Sequence, residues 1–139
     1  MKRAILAAVL AASPALAETH YLAIHVDEND PQVMNMALNN AQNVASYYAE
    51  QGDDVVIELV AYGPGLNMLV KDKSPVADRI ATMSLEMPNI RFDACGNTHA
   101  AMSAKAGHDI ELVDEAEIVP SGVVKLMELQ KQGYAYVRP

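Results

Sequence analysis

"THYLAIHVDENDPQVMNMALNNAQNVASYYAEQGDDVVIELVAYGPG", residues 19 to 65, holds the alternation on which the fold reading turns. "THYLAIHV" (19–26) is a short run with β-branched and aromatic residues that ends in the turn-like "DEND", which predicts a strand. Asp30-Pro31 is a helix start, with Asp30 as N-cap and Pro31 at the first helical position. Met34, Ala37, Leu38, Ala41, Val44, Ala45 and Tyr48 then recur at spacings of three and four, and Gly52 stands where a C-terminal cap belongs. "DVVIELVAY" (54–62) is a nearly continuous apolar strand closed by "GPG". Strand, helix and strand in this order form one unit of a parallel sheet.

The rest of the chain repeats the scheme. "SPVADRIATMSLEM" (74–87) resumes helical spacing, with Ser74 as cap, after an irregular "LNMLVKDK". "NIRFDAC" (89–95) predicts a third strand and Thr98 to Ala106 a short helix ended by Gly107. "AEIV" (116–119), a helix capped by Ser121 and running to about Gln132, and "YAYV" (134–137) complete the pattern. Five strands alternating with four helices predict an α/β domain with a parallel sheet, right-handed crossovers and cover on both faces. With a strand order of 2-1-3-4-5, the reversal of order lies between the first and third strands, and ligands bind beyond the carboxyl ends at such points. The loops "HVDEND" and "ACGNTH" then meet there, with His25 and Asn29 in one and Cys95, Gly96, Asn97, Thr98 and His99 in the other.

Upstream of this domain, "MKRAILAAVLAASPALA" (1–17) has a basic start, an apolar stretch of about ten residues and Ala15-Leu16-Ala17, which is the pattern of a secretory signal peptide. The apolar run is too short for a permanent span of a ~30 Å hydrocarbon core. The expectation is an exported, periplasmic protein whose single mature domain covers residues 18–139. The formal net charge is −8, and losing Lys2 and Arg3 makes it more acidic. Such a surface repels phosphate backbones and anionic headgroups, which argues against nucleic-acid and membrane partners.

Cys95 is the only cysteine, so no internal disulfide can form. Its place at the junction of a strand and a helix puts a thiol near the dipole end that stabilises thiolates. The competing reading is a packed, unreactive thiol serving as a small apolar residue. His25 and His99 are candidate partners for its proton. No C-x-x-C or H-x-x-x-H spacing accompanies these three residues, so neither a metal nor a cofactor is expected; His20 and His108 fall outside these loops. "AYGPGLN" places Gly63, Gly65 and Asn67 in a turn that lacks the Gly-Lys-Ser/Thr ending of a phosphate loop, and "VPSGV" lacks the G-x-S-x-G pattern, which leaves Ser121 as a helix cap on the rim of the same crevice. The amide-rich stretch Asn39, Asn40, Gln42 and Asn43 suits an association surface.

"LVAYGPGLNML", "IRFDACGNT" and "IVPSGVVKLMELQKQGYAYVRP" together resemble the DsrE/DsrF-like family, in its branch of exported or stand-alone proteins. The resemblance spans the mature chain and implies an α/β three-layer sandwich with a five-stranded parallel sheet, DsrE/flavodoxin-like, assembled into homotrimers or homohexamers. In members that handle sulfur, the cysteine after the third strand carries a persulfide, and Cys95 matches it. The resemblance therefore implies a carrier of sulfane sulfur with a protein donor or acceptor. After Cys95 this chain has "GNTHAAMSAKAG" in place of the carriers' basic segment.

Overall fold

A computed structural model describes residues 13–139, so most of the stretch expected to be a signal peptide (1–17) lies outside the described residues. The elements follow the expected order: β1 (Thr19–Val26), α1 (Pro31–Glu50), β2 (Asp54–Ala61), a 3-10 helix (Gly63–Leu69), α2 (Ala77–Glu86), β3 (Ile90–Cys95), α3 (Gly96–Ala106), β4 (Ala116–Val119), α4 (Gly122–Lys131) and β5 (Ala135–Val137). No described helix is long and apolar enough to cross a membrane.

Local chemistry sets most boundaries. The Asp30 carboxylate accepts the Gln32 N–H at 2.7 Å and Pro31 opens α1. Ser121 caps α4 by accepting the Val124 N–H. Gly107 and Gly133 have φ of 77° and 94°, the left-handed turn that ends a helix without a Cβ clash. Some helix starts differ from expectation, α3 among them. Ser74 accepts the Val76 N–H, and α2 begins later, at Ala77. The run after "AY" coils at once into the 3-10 helix, because Gly65 lies where a Cβ would be 2.3 Å from the Val26 carbonyl oxygen. Only glycine lets this segment lean on the end of β1.

All strand pairs are parallel, and the spatial order is β4-β3-β2-β1-β5. The expected order 2-1-3-4-5 is corrected: β2 separates β1 from β3, and the reversal falls between β1 and β5. Because the chain steps in one direction from β1 to β4, right-handed crossovers stack α1, α2 and α3 on one face, and the return to β5 sends α4 to the other. Leu22, Ile24, Val26, Ile57, Leu59, Phe92 and Ala94 meet Met34, Leu38, Ile80 and Met83 on the first face. On the second, Ala23 and Val60 meet Leu126 and Leu129. The amide face of α1 is tied to α2, since Arg79 donates to Asn35, Asn39 and Gln42 at 2.7–3.1 Å.

Candidate functional site

Cys95 ends β3 and is the N-cap of α3, which opens at Gly96 and not at Thr98. The structure adds a second helix end: Gly122 opens α4 so close to Cys95 that a Cβ on it would stand 3.1 Å from Cys95 Cβ and 3.0 Å from the Tyr62 ring. Burial pushes the Cys95 thiol up, but the Thr98 hydroxyl and the backbone N–H groups of Gly122, Thr98 and Asn97 act on it the other way. Their sum holds it below the ordinary thiol value. Thr98 Oγ1 accepts the Gly63 N–H at 2.9 Å, which leaves the hydroxyl proton free to be aimed at sulfur. Two helix N-termini therefore converge on one sulfur atom, and their N–H dipoles favour negative charge there.

The sulfur is nearly enclosed: Cys95 is 5% exposed. Its surroundings are nonetheless polar donors and an aromatic ring rather than hydrocarbon alone. An open groove of about 550 Å³ lies beside it, lined by Gly63, Pro64, Asn67, Asn97, Thr98 and Lys105 among others. Thr98 belongs to both groove and thiol site. Gly63, Asn67, Asn97 and Thr98 are thus brought together.

The remaining expected residues lie elsewhere. His99 is turned away, its Nε2 hydrogen-bonded at 2.7 Å to the Ile110 carbonyl. Asn29 is exposed in the β1–α1 connection. Gly65 packs on β1, Ser121 caps α4, and Gly96 lets β3 turn into α3 where a Cβ would press on the Val119 carbonyl at 2.8 Å. His25 shares the face of Cys95, but with β2 between their strands the backbones stand two strand spacings apart, roughly 9–10 Å. The Tyr62 ring links the two, packing on His25 with centroids 4.5 Å apart. His25 Nδ1 and the Tyr136 hydroxyl share a 2.6 Å hydrogen bond, and Nε2 faces Asp27 at 3.9 Å. Burial keeps this imidazole below its usual pKa despite the pull of Asp27. Asp27 is itself paired with Arg138 at 3.0 Å. This group, rather than Cys95, occupies the reversal between β1 and β5.

Sequence reading missed a third group on the same face. Glu58 and Asp93 are buried side by side from β2 and β3, with Lys125 Nζ of α4 2.6 Å from Glu58 and 3.8 Å from Asp93. Burial, then the neighbouring Glu58 carboxylate, pushes Asp93 up to about 8, while hydrogen bonds from Asp93 and Lys125 outweigh burial and hold Glu58 below its usual range. The pair shares one proton. The available signal was a single carboxylate inside each of two apolar strands, "VVIELVA" and "IRFDAC". Gly122 was missed as well; its signal was a glycine, a poor helix former, in the first turn of a helix.

Among proteins of known structure, the chain is similar to MTH1491 of Methanobacterium thermoautotrophicum, described as a protein of unknown function. The two share 29% identity over 86% of this chain and 99% of that one, with a TM-score of 0.71. Comparison with curated proteins returns no match. The model of the DsrE/DsrF-like family matches residues 23–139, from the middle of β1 to the last residue. With that span, a related parallel sheet and a cysteine closing the third strand, the chain belongs to the DsrE/DsrF-like family.

Proposed function

We propose that this protein is a periplasmic carrier of sulfane sulfur, held as a persulfide on Cys95. The observation that supports it most is the convergence of the α3 and α4 N-termini on the Cys95 sulfur, which favours an anion despite burial. The reaction is a transfer without net oxidation. The Cys95 thiolate attacks the outer sulfur of a donor persulfide, a new S–S bond forms, the donor's S–S bond breaks, and the donor leaves as a thiolate. The same N–H groups and the Thr98 hydroxyl would then hold the charge of the Cys95 persulfide. Because Cys95 is nearly enclosed, a donor must reach it by displacing the Tyr62 ring or through the groove that Thr98 borders. His25 acts through Tyr62 as a positioning residue.

Exposed Ile118, Val123, Val124 and Met127 lie on β4 and α4, which suits self-association into a trimer or hexamer. Incubating the purified mature protein with polysulfide and measuring intact mass, beside Cys95→Ser, tests the carrier reading. A gain of sulfur mass that depends on Cys95 supports it, and no such gain removes it. The burial of Cys95 favours a second reading, a non-catalytic small-ligand module that uses the same groove. It expects a thiol that reagents reach only after unfolding, which a native and denatured thiol titration distinguishes.

A further inference from the structure

We propose that removal of the segment ending at Ala17 creates a Cu(II) site whose ligands are the new α-amine of Glu18, the His20 imidazole and the carboxylates of Glu18 and Asp53. Two independent observations meet at this place. The sequence puts the export cut after Ala15-Leu16-Ala17, immediately before Glu18. The fold, without reference to any cut, brings the Glu18 backbone nitrogen to 2.9 Å from Asp53 Oδ1 and His20 Nε2 to 3.2 Å from Asp53 Oδ2. Glu18, His20 and Asp53 each offer a ligand atom within 4.8 Å of the others.

Processing changes the chemistry of one atom. In the longer chain the Glu18 nitrogen is a peptide amide, whose lone pair is delocalised into the carbonyl. After the cut it is an amine, whose localised lone pair can bind a metal. The site is therefore latent until the chain is cut.

The strand geometry suits the donor set. Residues two apart along an extended chain share a face, which places residues 18 and 20 together, and the turn from α1 into β2 delivers Asp53 opposite them. The His20 ring is stacked on Tyr48 at 3.6 Å and 16°, which fixes its direction. A cavity of about 430 Å³ opens alongside, bordered by Tyr21, Val44, Tyr48 and Ala135, and leaves space for water on the metal. Two nitrogens and two carboxylate oxygens favour a tetragonal ion, and Cu(II) stands highest in the affinity order of first-row divalent metals. Calcium and magnesium want more oxygen ligands than the site provides.

This site lies at the amino ends of the parallel strands, away from Cys95 at a carboxyl end, and does not rest on the persulfide reading. Its test uses the exported protein in a Cys95→Ser background, so that no thiol competes for copper. Intact mass of the exported chain is expected to show Glu18 as the first residue; any other first residue overturns the proposal. Titration with CuCl2, followed by native mass spectrometry and electron paramagnetic resonance, is expected to show one Cu(II) per chain, with Ni(II) and Zn(II) weaker. Binding is expected to weaken about tenfold or more in His20→Ala, in Asp53→Asn and in a chain retaining Leu16 and Ala17, the range typical of lost metal-site support. The extended chain alters no folded contact, so it decides the matter even where a substitution disturbs the strand. Unchanged Cu(II) affinity in any of the three overturns the site as drawn.

Discussion

Leu22, Ile24 and Val26 point from β1 into a face closed by α1, α2 and α3, while Ala23 and His25, alternating with them, point to a face that α4 covers alone. The same division runs through β2 and β3, where Ile57, Leu59 and Phe92 lie on the first face and Glu58, Asp93 and Cys95 on the second. A residue period of two sorts hydrocarbon from chemistry within single strands. The three-helix face supplies most of the apolar burial and so most of the stability. The α4 face can then accommodate a shared proton, a buried imidazole and a thiol at the meeting of two helix ends, because its opposite side already holds the sheet together.

The contrast is tested most severely by truncation on the first face. Phe92→Ala should cost about 4 kcal/mol in denaturant unfolding, as a large side chain leaves a cavity among residues that cannot close it. Equal stability to the parent would mean that the first face is not the main source of folding energy.

On the second face, Lys125→Ala should cost less, about 2 kcal/mol, since it leaves Glu58 and Asp93 without their cation but with water near the quarter-exposed lysine. The proton shared there also gives a pH signature. Asp93 has a folded pKa raised to about 8, so its protonated form favours the fold. That contribution is full below the ordinary carboxylate range and is lost as pH rises towards 8. Stability of the parent should therefore decline over this interval relative to Asp93→Asn. Parallel pH profiles for the two proteins would remove the shared proton.

Gly122→Ala should cost about 1 kcal/mol, because the added methyl must push against Tyr62 and Cys95 Cβ. Its larger expression should be in the thiol, whose alkylation rate should change as the α4 N–H moves off sulfur. Thr98→Val should have the smallest effect on folding, and should slow alkylation at neutral pH by roughly three- to tenfold as the thiolate loses a donor. Stopped alkylation series across pH, with both variants beside the parent, separate these effects; unchanged thiol pKa in both would show that the helix ends do not tune Cys95.

Much of the architecture was legible because its causes are local. Asp30-Pro31, Ser121, Gly107 and Gly133 mark helix ends by hydrogen-bonding capacity or backbone freedom, and apolar runs mark strands. The candidate site was legible only in part. Cys95, Thr98, Asn97, Gly63 and Asn67 could be named because each sits in a strand-to-helix turn at one end of the sheet. Neither the convergence of α4 on Cys95 nor the placing of His99 against Ile110 follows from spacing.

The chain's alternation of apolar runs and capped helices, by itself, determined that a parallel α/β sheet forms and that a thiol closes its third strand, because propensity, capping and period-two patterning act over a few residues. Tertiary structure alone decided that β2 stands between His25 and Cys95, that Gly122 brings a second helix end to the sulfur, and that Glu58, Asp93 and Lys125 share a buried site. Strand order depends on which elements pack across the sheet, and that competition is settled by contacts between segments far apart in the chain.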